Sequence, residues 1–169
     1  MMIRFSAFLV LLMMFSVGLY GQHDHSGHNH GHGQGDDPHK YHIGLGVAGT
    51  RIISEDAFAP ALHVHFLRQL GQHNQWGIGL GYEAIADEHW HNGINLLGNY
   101  RPAKFLSILA GPGLVIGEHD GSTEIGPAFH TEAVFEFNLG GLHVGPMIGF
   151  GYDREDRHIS AGIHVGIGL

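Results

Sequence analysis

Residues 75–86 read Gln-Trp-Gly-Ile-Gly-Leu-Gly-Tyr-Glu-Ala-Ile-Ala, and this stretch decides the fold of the chain. Between Trp76 and Glu83, large apolar side chains alternate with glycine or glutamate, which is the two-residue period of a β-strand. One face of that strand is apolar, and the opposite face carries glycines and one carboxylate. A tilted strand needs about 9–11 residues to cross a bilayer. The stretch is therefore long enough to span a membrane.

The same alternation recurs from His39 to Leu169, between short segments of turn-forming residues. It predicts eight strands, at Lys40–Arg51, Phe58–Leu70, Gln75–Ala86, Trp90–Arg101, Ala103–Gly117, Thr123–Asn138, Gly141–Asp153 and Arg157–Leu169. No stretch of this region has the period of a helix, so the pattern indicates an all-β protein.

The two faces of these strands differ in composition. One face is apolar and comprises Tyr41, Ile43, Leu45, Val47, Leu62, Val64, Phe66, Trp76, Ile78, Leu80, Tyr82, Trp90, Ile94, Leu96, Tyr100, Leu106, Ile108, Leu114, Ile116, Phe129, Val144, Ile148, Phe150, Ile159, Ile163, Val165 and Ile167. The other combines glycine with titratable or amide groups, and its non-glycine members are His63, His65, Glu83, Asn95, His130, Glu132, Glu136, His143 and His164. A soluble barrel or sandwich buries its apolar face, whereas a transmembrane barrel turns that face to lipid. A secreted soluble β-domain is the alternative.

We therefore predict an eight-stranded antiparallel up-and-down transmembrane β-barrel over residues 39–169. The barrel must close, because each backbone polar group in hydrocarbon needs a partner. Acidic connections at 54–56, 87–89, 118–120 and 153–156 alternate with tight turns. This asymmetry predicts a periplasmic N-terminus, short periplasmic turns and longer outer loops. Pro112, Pro127 and Pro146 fall inside predicted strands beside glycines, and we expect β-bulges there.

The N-terminal segment has the pattern of a secretory signal peptide. Met1–Arg4 carry positive charge, Phe5–Val17 are apolar, and small residues follow. We expect cleavage after Gly18 or Gly21, which divides the chain into a signal peptide at 1–21, a disordered His-rich segment at 22–38 and the barrel. An uncleaved anchor is the alternative, but the apolar run is shorter than the roughly 20 residues of a spanning helix.

Residues 23–32 hold five histidines in ten positions, at His23, His25, His28, His30 and His32. Neutral imidazole is a common metal ligand, and a flexible glycine-rich tract lets several imidazoles converge on one ion. The tract therefore predicts binding of Zn, Cu, Ni or Co ions. The alternative is a solubilising tail without a metal.

A second set of candidate metal ligands lies on the inward face of the strands. It comprises His63, His65, Glu83, His130, Glu132 and His164, near the middle of the predicted barrel. Ionisable groups inside a membrane are costly and are candidates for function. Imidazole and carboxylate without thiolate suit Zn, Ni, Cu(II) or Fe(II) better than Cu(I). The alternative is a polar plug, in which the same groups satisfy one another. The inward glycines either make room for bulky facing side chains or leave a water-filled path.

Composition excludes several other functions. The chain has no cysteine, so disulfides, thiolate metal sites and cysteine nucleophiles are absent. Its net charge is −8 with only eight basic residues, which provides no nucleic-acid footprint. The apolar face offers no histidine or carboxylate for lipid chemistry, and the nearest serine–histidine pair, His158 with Ser160, has no third member. We expect no enzymatic activity.

The signal peptide, the glycine-rich alternating strands and the final strand at His158–Leu169 resemble the small eight-stranded outer-membrane β-barrels of Gram-negative bacteria, the OmpX- and OmpW-like class. The resemblance covers roughly His39 to Leu169. It implies an outer-membrane location, outer-membrane lipid as the surroundings and a monomer. The leading expectation is a non-enzymatic barrel that binds or buffers divalent transition-metal ions through its His-rich N-terminal tract. The alternative is a structural or surface-interaction barrel without a metal role.

Overall fold

A computed structural model describes residues 39–71, 73–88, 90–119, 122–154 and 156–169. The predicted signal peptide and the histidine tract lie outside these ranges. The strands are β1 (Tyr41–Ile52), β2 (Ala57–Leu70), β3 (Trp76–Ile85), β4 (His91–Ala103), β5 (Leu106–His119), β6 (Ser122–Phe135), β7 (Phe137–Leu139), β8 (Leu142–Tyr152) and β9 (Arg157–Gly168). Within these ranges, no helix is long and apolar enough to cross a membrane.

The strands form one closed antiparallel barrel. Neighbours in sequence pair with each other, β1 pairs with β9, and β6 closes the remaining gap by pairing with β8. β6 and β7 are two segments of one barrel strand, because both pair with β8 in the same register and only Glu136 separates them. The backbone N–H of Glu136 donates instead to the carbonyl of Phe105. The predicted eight-stranded antiparallel barrel is thus confirmed.

The register fixes the tilt of the strands. Followed once around the barrel, the pairs run from Tyr41 on β1 through Arg68, Ile78, Gly98, Ala110, Thr131, Phe150 and Ile159 to Arg51, again on β1. The closure is therefore staggered by ten residues along β1. With the usual strand rise and spacing this stagger gives a tilt of about 40°, within the range of transmembrane barrels.

The predicted division into two faces is also confirmed. Val47, Leu80 and Ile163 point outward and are 60%, 59% and 55% exposed, and their neighbours along each strand are buried or half-buried. The outward surface is an apolar band, as hydrocarbon requires. Trp76 and Tyr100 pack against each other on this surface, with ring centroids 4.4 Å apart.

The interior is less polar than the sequence analysis predicts. Two apolar clusters point inward, one of Ala48, Ile52, Ala59, Ala61 and Ile85, the other of Leu67, Leu97, Leu109, Val134 and Met147. Several members follow another apolar residue along the chain, as Leu67 follows Phe66. Two adjacent apolar residues do not reveal by themselves which one faces the interior.

The prediction of β-bulges at the three prolines is wrong. The strand registers continue without a shift past Pro112, Pro127 and Pro146. The register shift in the β4–β5 pair lies instead between Tyr100 and Ala103. All three prolines face outward. Pro112 has no ladder partner on β4, and Pro146 has none on β6. A proline lacks the N–H that a ladder needs. The barrel accommodates this by a local loss of pairing rather than by an extra residue.

The two ends of the barrel differ in what they carry. The terminus end holds Tyr41 and Leu169, whose backbones pair, and the turns at 71–75, 104–105 and 140–141. The loop end holds the connection at 53–56, the described parts of the connections at 86–90 and 153–156, and the facing ends of β5 and β6 at His119 and Ser122. These connections are barely longer than the turns, so the expected difference in length does not orient the barrel. The periplasmic position of the terminus end stays a prediction.

Candidate metal centre in the barrel interior

The barrel interior concentrates ionisable groups. Among the described residues, seven histidines and three glutamates are buried in it: His42, His63, His65, His130, His143, His158, His164, Glu83, Glu132 and Glu136. They occur along much of the barrel, because His42 lies near the terminus end and His158 pairs with Ile52 at the other end of β1. Ten residues of tilted strand separate these levels, which is about 25 Å along the axis.

The first group, the glutamate cluster, comprises His63, Glu83, His130, Glu132 and His158. His63 on β2 and Glu83 on β3 are cross-strand neighbours. β6 contributes His130 and Glu132, two residues apart and therefore on the same face. His158 comes from β9. Four strands thus bring two carboxylates and three imidazoles together, all no more than 9% exposed.

Four side chains of this cluster form a closed ring of contacts. Glu83 lies 3.5 Å from Nε2 of His63 and 3.3 Å from Nδ1 of His130. Glu132 Oε2 lies 3.5 Å from Nδ1 of His63 and 3.7 Å from Nε2 of His130. These distances exceed the usual 2.7–3.2 Å of an N–H···O hydrogen bond. Each carboxylate therefore faces both imidazoles without bonding closely to either.

Glu83 and Glu132 face different ring nitrogens of His63 and of His130. Nε2 of His63 and Nδ1 of His130, the atoms nearest Glu83, are buried and have no hydrogen-bond partner. The other ring nitrogens both face Glu132. This is the usual arrangement of a metal-binding histidine, in which one nitrogen ligates and the other is held by a carboxylate. Glu83, His63 and His130 are thus candidate ligands, and Glu132 is a candidate orienting group.

The spacing of these atoms suits a metal ion. Ligand atoms of His63, Glu83 and His130 all lie within 4.8 Å of one another. A tetrahedral ion with bonds of 2.0–2.2 Å holds its ligands roughly 3.3–3.6 Å apart. His63 Nε2 lies 3.5 Å from Oε1 of Glu83 and His130 Nδ1 lies 3.3 Å from Oε2, so each imidazole approaches one carboxylate oxygen at a distance in this range. His158 donates or accepts a hydrogen bond with Glu83 at 3.2 Å and would fix the carboxylate.

Cavities adjoin the glutamate cluster. One is lined by Glu83, His130 and His158 and, toward the loop end, by His91 and Tyr152. A smaller one is bordered by His63, Glu132 and the apolar side chains Leu97 and Leu109. Unfilled space therefore adjoins the cluster on the side of the loop end.

The second group, the imidazole cluster, lies nearer the terminus end. His42, His65 and His164 come from the adjacent strands β1, β2 and β9, and their ring centroids are 5.1–5.9 Å apart. His143 lies 5.4 Å from His42 by ring centroid and 3.7 Å from Glu136, measured between Nδ1 and Oε2. Glu136 is paired with Arg101 at 3.0 Å.

The predicted inward set is therefore divided. His63, Glu83, His130 and Glu132 come together, whereas His65 and His164 belong to the imidazole cluster. His23, His25, His28, His30 and His32 lie outside the described residues. His42, Glu136, His143 and His158 are buried in the same interior but are not among the metal ligands predicted from the sequence. The alternation along their strands places Glu136 and His143 on the inward face, so the sequence shows that they point into the barrel. It does not show which residues they meet across the interior.

His158 and Ser160 do not form the pair considered from the sequence. Ser160 Oγ hydrogen-bonds to Thr50 Oγ1 at 2.7 Å, and His158 contacts Glu83. Both side chains are buried and engaged with different partners.

The inward glycines make room for the imidazoles. A Cβ at Gly44 would lie 2.2 Å from Nε2 of His65, and one at Gly151 would lie 2.2 Å from the His158 ring. Real Cβ atoms do not approach ring atoms so closely. At these positions the first of the two readings, space for bulky facing side chains, is supported.

Comparisons with known proteins agree with the architecture. No protein-family model and no curated protein matches the chain. The crystal structure of Ail, the attachment invasion locus protein of Yersinia pestis, is similar, with 11% identity, a TM-score of 0.52 and coverage of 78% of this chain and 99% of that one. The N-terminal β-barrel domain of Pseudomonas aeruginosa OprF has 13% identity, a TM-score of 0.51 and coverage of 76% and 97%. A de novo designed transmembrane β-barrel has 13% identity, a TM-score of 0.50 and coverage of 78% and 99%. At these identities the likeness concerns the fold, and the chain has the fold of the small eight-stranded outer-membrane β-barrels.

Proposed function

We propose that this chain is a non-enzymatic outer-membrane barrel that binds a divalent transition-metal ion at the glutamate cluster, with the histidine tract gathering ions at the periplasmic surface. The observation that carries the proposal is a pair of buried nitrogens without a hydrogen bond, Nε2 of His63 and Nδ1 of His130, which face Glu83 at 3.5 and 3.3 Å. A buried polar atom without a partner costs about 1–3 kcal/mol. An ion bound between the three side chains would satisfy both nitrogens at once.

Charge also favours a divalent ion at this position. Glu83 and Glu132 together supply two negative charges, which would balance a dication inside the membrane. Without a cation, two buried carboxylates must rely on protonated imidazoles or share protons. Imidazole and carboxylate ligands suit Zn, Cu(II), Ni and Co, and also Fe(II). Because the ligand set has no thiolate, Cu(I) is disfavoured.

The outer-membrane location is supported by the outward face and by the fold. Leu45, Leu80, Ile94 and Ile163 are each about half exposed on a closed barrel, and lipid is the partner that such a surface needs. The acidic residues of the connections at the loop end favour a periplasmic N-terminus, as expected from the sequence. We expect a monomer in outer-membrane lipid.

A structural or surface-interaction barrel is the second candidate. It is favoured by the His158–Glu83 hydrogen bond and the Arg101–Glu136 ion pair, which are contacts that a polar plug would use. Its surface role is weakened by the loop end, where acidic groups bond within the protein: Asp56 pairs with Arg51, and Asp156 accepts from Ser54 at 2.6 Å.

The test uses the full chain with the five tract histidines replaced by asparagine, so that the tract cannot mask the barrel. We expect Zn²⁺ to raise the unfolding midpoint relative to chelator, because a ligand that binds only the folded state stabilises it, by about 2.7 kcal/mol at one hundred times its Kd. At a Zn²⁺ concentration that fills only the glutamate cluster, His130→Ala should abolish this difference.

Thr50→Val is the matched control. It removes the buried Thr50–Ser160 hydrogen bond without touching a candidate ligand. It should lower the midpoint and keep the response to Zn²⁺. A tract-substituted chain whose midpoint is the same in Zn²⁺ and in chelator would leave only the plug.

A further inference from the structure

The imidazole cluster has features of a built site of its own. Ligand atoms of His42, His65 and His164 lie within 4.8 Å of one another, and the three residues are 4%, 5% and 1% exposed. Nε2 of His42 and Nε2 of His164 have no hydrogen-bond partner. Three adjacent strands supply the rings, so the register of the barrel fixes their relative positions.

Two glycines enclose these nitrogens. A Cβ at Gly166 would lie 2.6 Å from Nε2 of His42 and 2.9 Å from Nε2 of His164. At Gly44 it would lie 2.2 Å from Nε2 of His65 and 2.3 Å from Cε1 of His164. Any larger residue at these positions would fill the space into which the imidazole edges are directed. The cluster is therefore a cradle formed by backbone and imidazole.

We infer that His42, His65 and His164 form a second metal site, separate from the glutamate cluster. Three imidazoles are a ligand set that holds Zn²⁺ with a fourth position open, and imidazole also suits Cu²⁺ and Ni²⁺. This inference goes beyond the proposed function and does not depend on it, because the two clusters share no ligand.

The second site is the weaker of the two. All three ligands are neutral, so a bound dication keeps its charge in a buried place, which is unfavourable without a counter-charge. A neighbouring carboxylate, Glu136, can ligate together with His42 and His143, but its charge is already paired with Arg101. The glutamate cluster, in contrast, offers two carboxylates. Zn²⁺ should therefore fill the glutamate cluster first and the imidazole cluster second.

The test is a Zn²⁺ titration of the tract-substituted full chain by calorimetry, with a parallel Cu²⁺ spectrum by electron paramagnetic resonance. We expect two ions per chain, bound in two steps whose dissociation constants differ at least tenfold. His42→Ala should remove the weaker step and keep the tighter one. His130→Ala should remove the tighter step and leave a Cu²⁺ spectrum with coupling to three nitrogens.

Two further variants keep the result interpretable. His42→Gln retains a polar side chain, so loss of the weak step with a folded barrel, seen as fast migration on unboiled gels, separates ligation from folding. Gln69→Ala changes another buried polar residue near the terminus end and should keep both steps. A single step that His42→Ala and His42→Gln leave unchanged would overturn the second site. If the tract-substituted chain with an otherwise unchanged barrel showed only the step that His42→Ala removes, the proposed function would be refuted and this inference would stand.

Discussion

The glutamate cluster and the imidazole cluster are built from the same residue type in the same barrel, yet they differ in charge. In the glutamate cluster each of His63 and His130 faces two carboxylates. In the imidazole cluster the rings of His42, His65 and His164 face one another, and the nearby Glu136 is paired with Arg101. The positions of the carboxylates, rather than the number of histidines, therefore decide which cluster holds a dication better.

The largest expected effect is the removal of the carboxylate at the centre of the glutamate cluster. Glu83 contacts His63, His130 and His158, so Glu83→Ala leaves three buried imidazoles without their shared partner. We expect a loss of about 3–5 kcal/mol in the free energy of unfolding, measured in chelator by denaturant titration. Zn²⁺ should no longer stabilise the variant through this cluster.

The control for that change is Glu83→Gln, which keeps the shape and the hydrogen-bonding capacity of the side chain. It should destabilise less in chelator but lose the tight metal step as fully as the alanine variant. If Glu83→Gln retained the tight step, the carboxylate would not be a ligand.

A steric change should affect the imidazole cluster alone. Gly44→Ala places a Cβ against the His65 and His164 rings, and overpacking of this kind costs about 1–3 kcal/mol. The weaker Zn²⁺ step should disappear while the tighter one persists, as read by calorimetry. Gly149→Ala is the matched control, because its Cβ would find no atom closer than 3.5 Å. Equal effects of the two variants would refute the packing of the imidazole cluster.

The charge difference between the clusters can be reduced by freeing a carboxylate. Arg101→Met removes the cation that is paired with Glu136 and leaves that carboxylate able to ligate with His42 and His143. We expect the weaker step to tighten by about tenfold, or about 1.4 kcal/mol, while the tight step is unchanged. Unchanged affinity at the weaker step would show that Glu136 does not reach the ion.

The smallest effect on the barrel is expected from the tract. Replacing His23, His25, His28, His30 and His32 by asparagine should leave the unfolding midpoint in chelator unchanged, because we expect a polar tract of this composition to bury little apolar surface. The same change should remove most of the metal that the whole chain retains at neutral pH, measured by elemental analysis. Equal retention with and without these histidines would refute a role for the tract.

The sequence is sufficient to predict the strands and most of their faces, but not the clusters. Alternation identifies His63, Glu83, His130 and Glu132 as inward residues, because inward and outward positions repeat every two residues. Which strands meet across the interior depends on the ten-residue stagger of the closure, a property of the whole barrel that no local pattern contains. His65 and His164 were therefore grouped with residues from which the register separates them.

The inward apolar residues were missed for a different reason. Leu97 follows Leu96, and Leu109 follows Ile108, so each pair offers two apolar candidates for one outward position. Only the register assigns Leu97 and Leu109 to the interior, where they pack with Leu67, Val134 and Met147. The prediction of bulges at the prolines was also wrong, because a strand pair can lose the pairing of one residue and still keep its register without an inserted residue.

X-ray absorption at the zinc edge would show directly whether a divalent ion binds between His63, His130 and Glu83. The sample is the tract-substituted full chain loaded with one equivalent of Zn²⁺. We predict a zinc ion of low coordination number, with two imidazole nitrogens and carboxylate oxygen as ligands. His130→Ala should change the spectrum. A zinc ion surrounded by oxygens only, or a spectrum that His130→Ala leaves unaltered, would contradict the account.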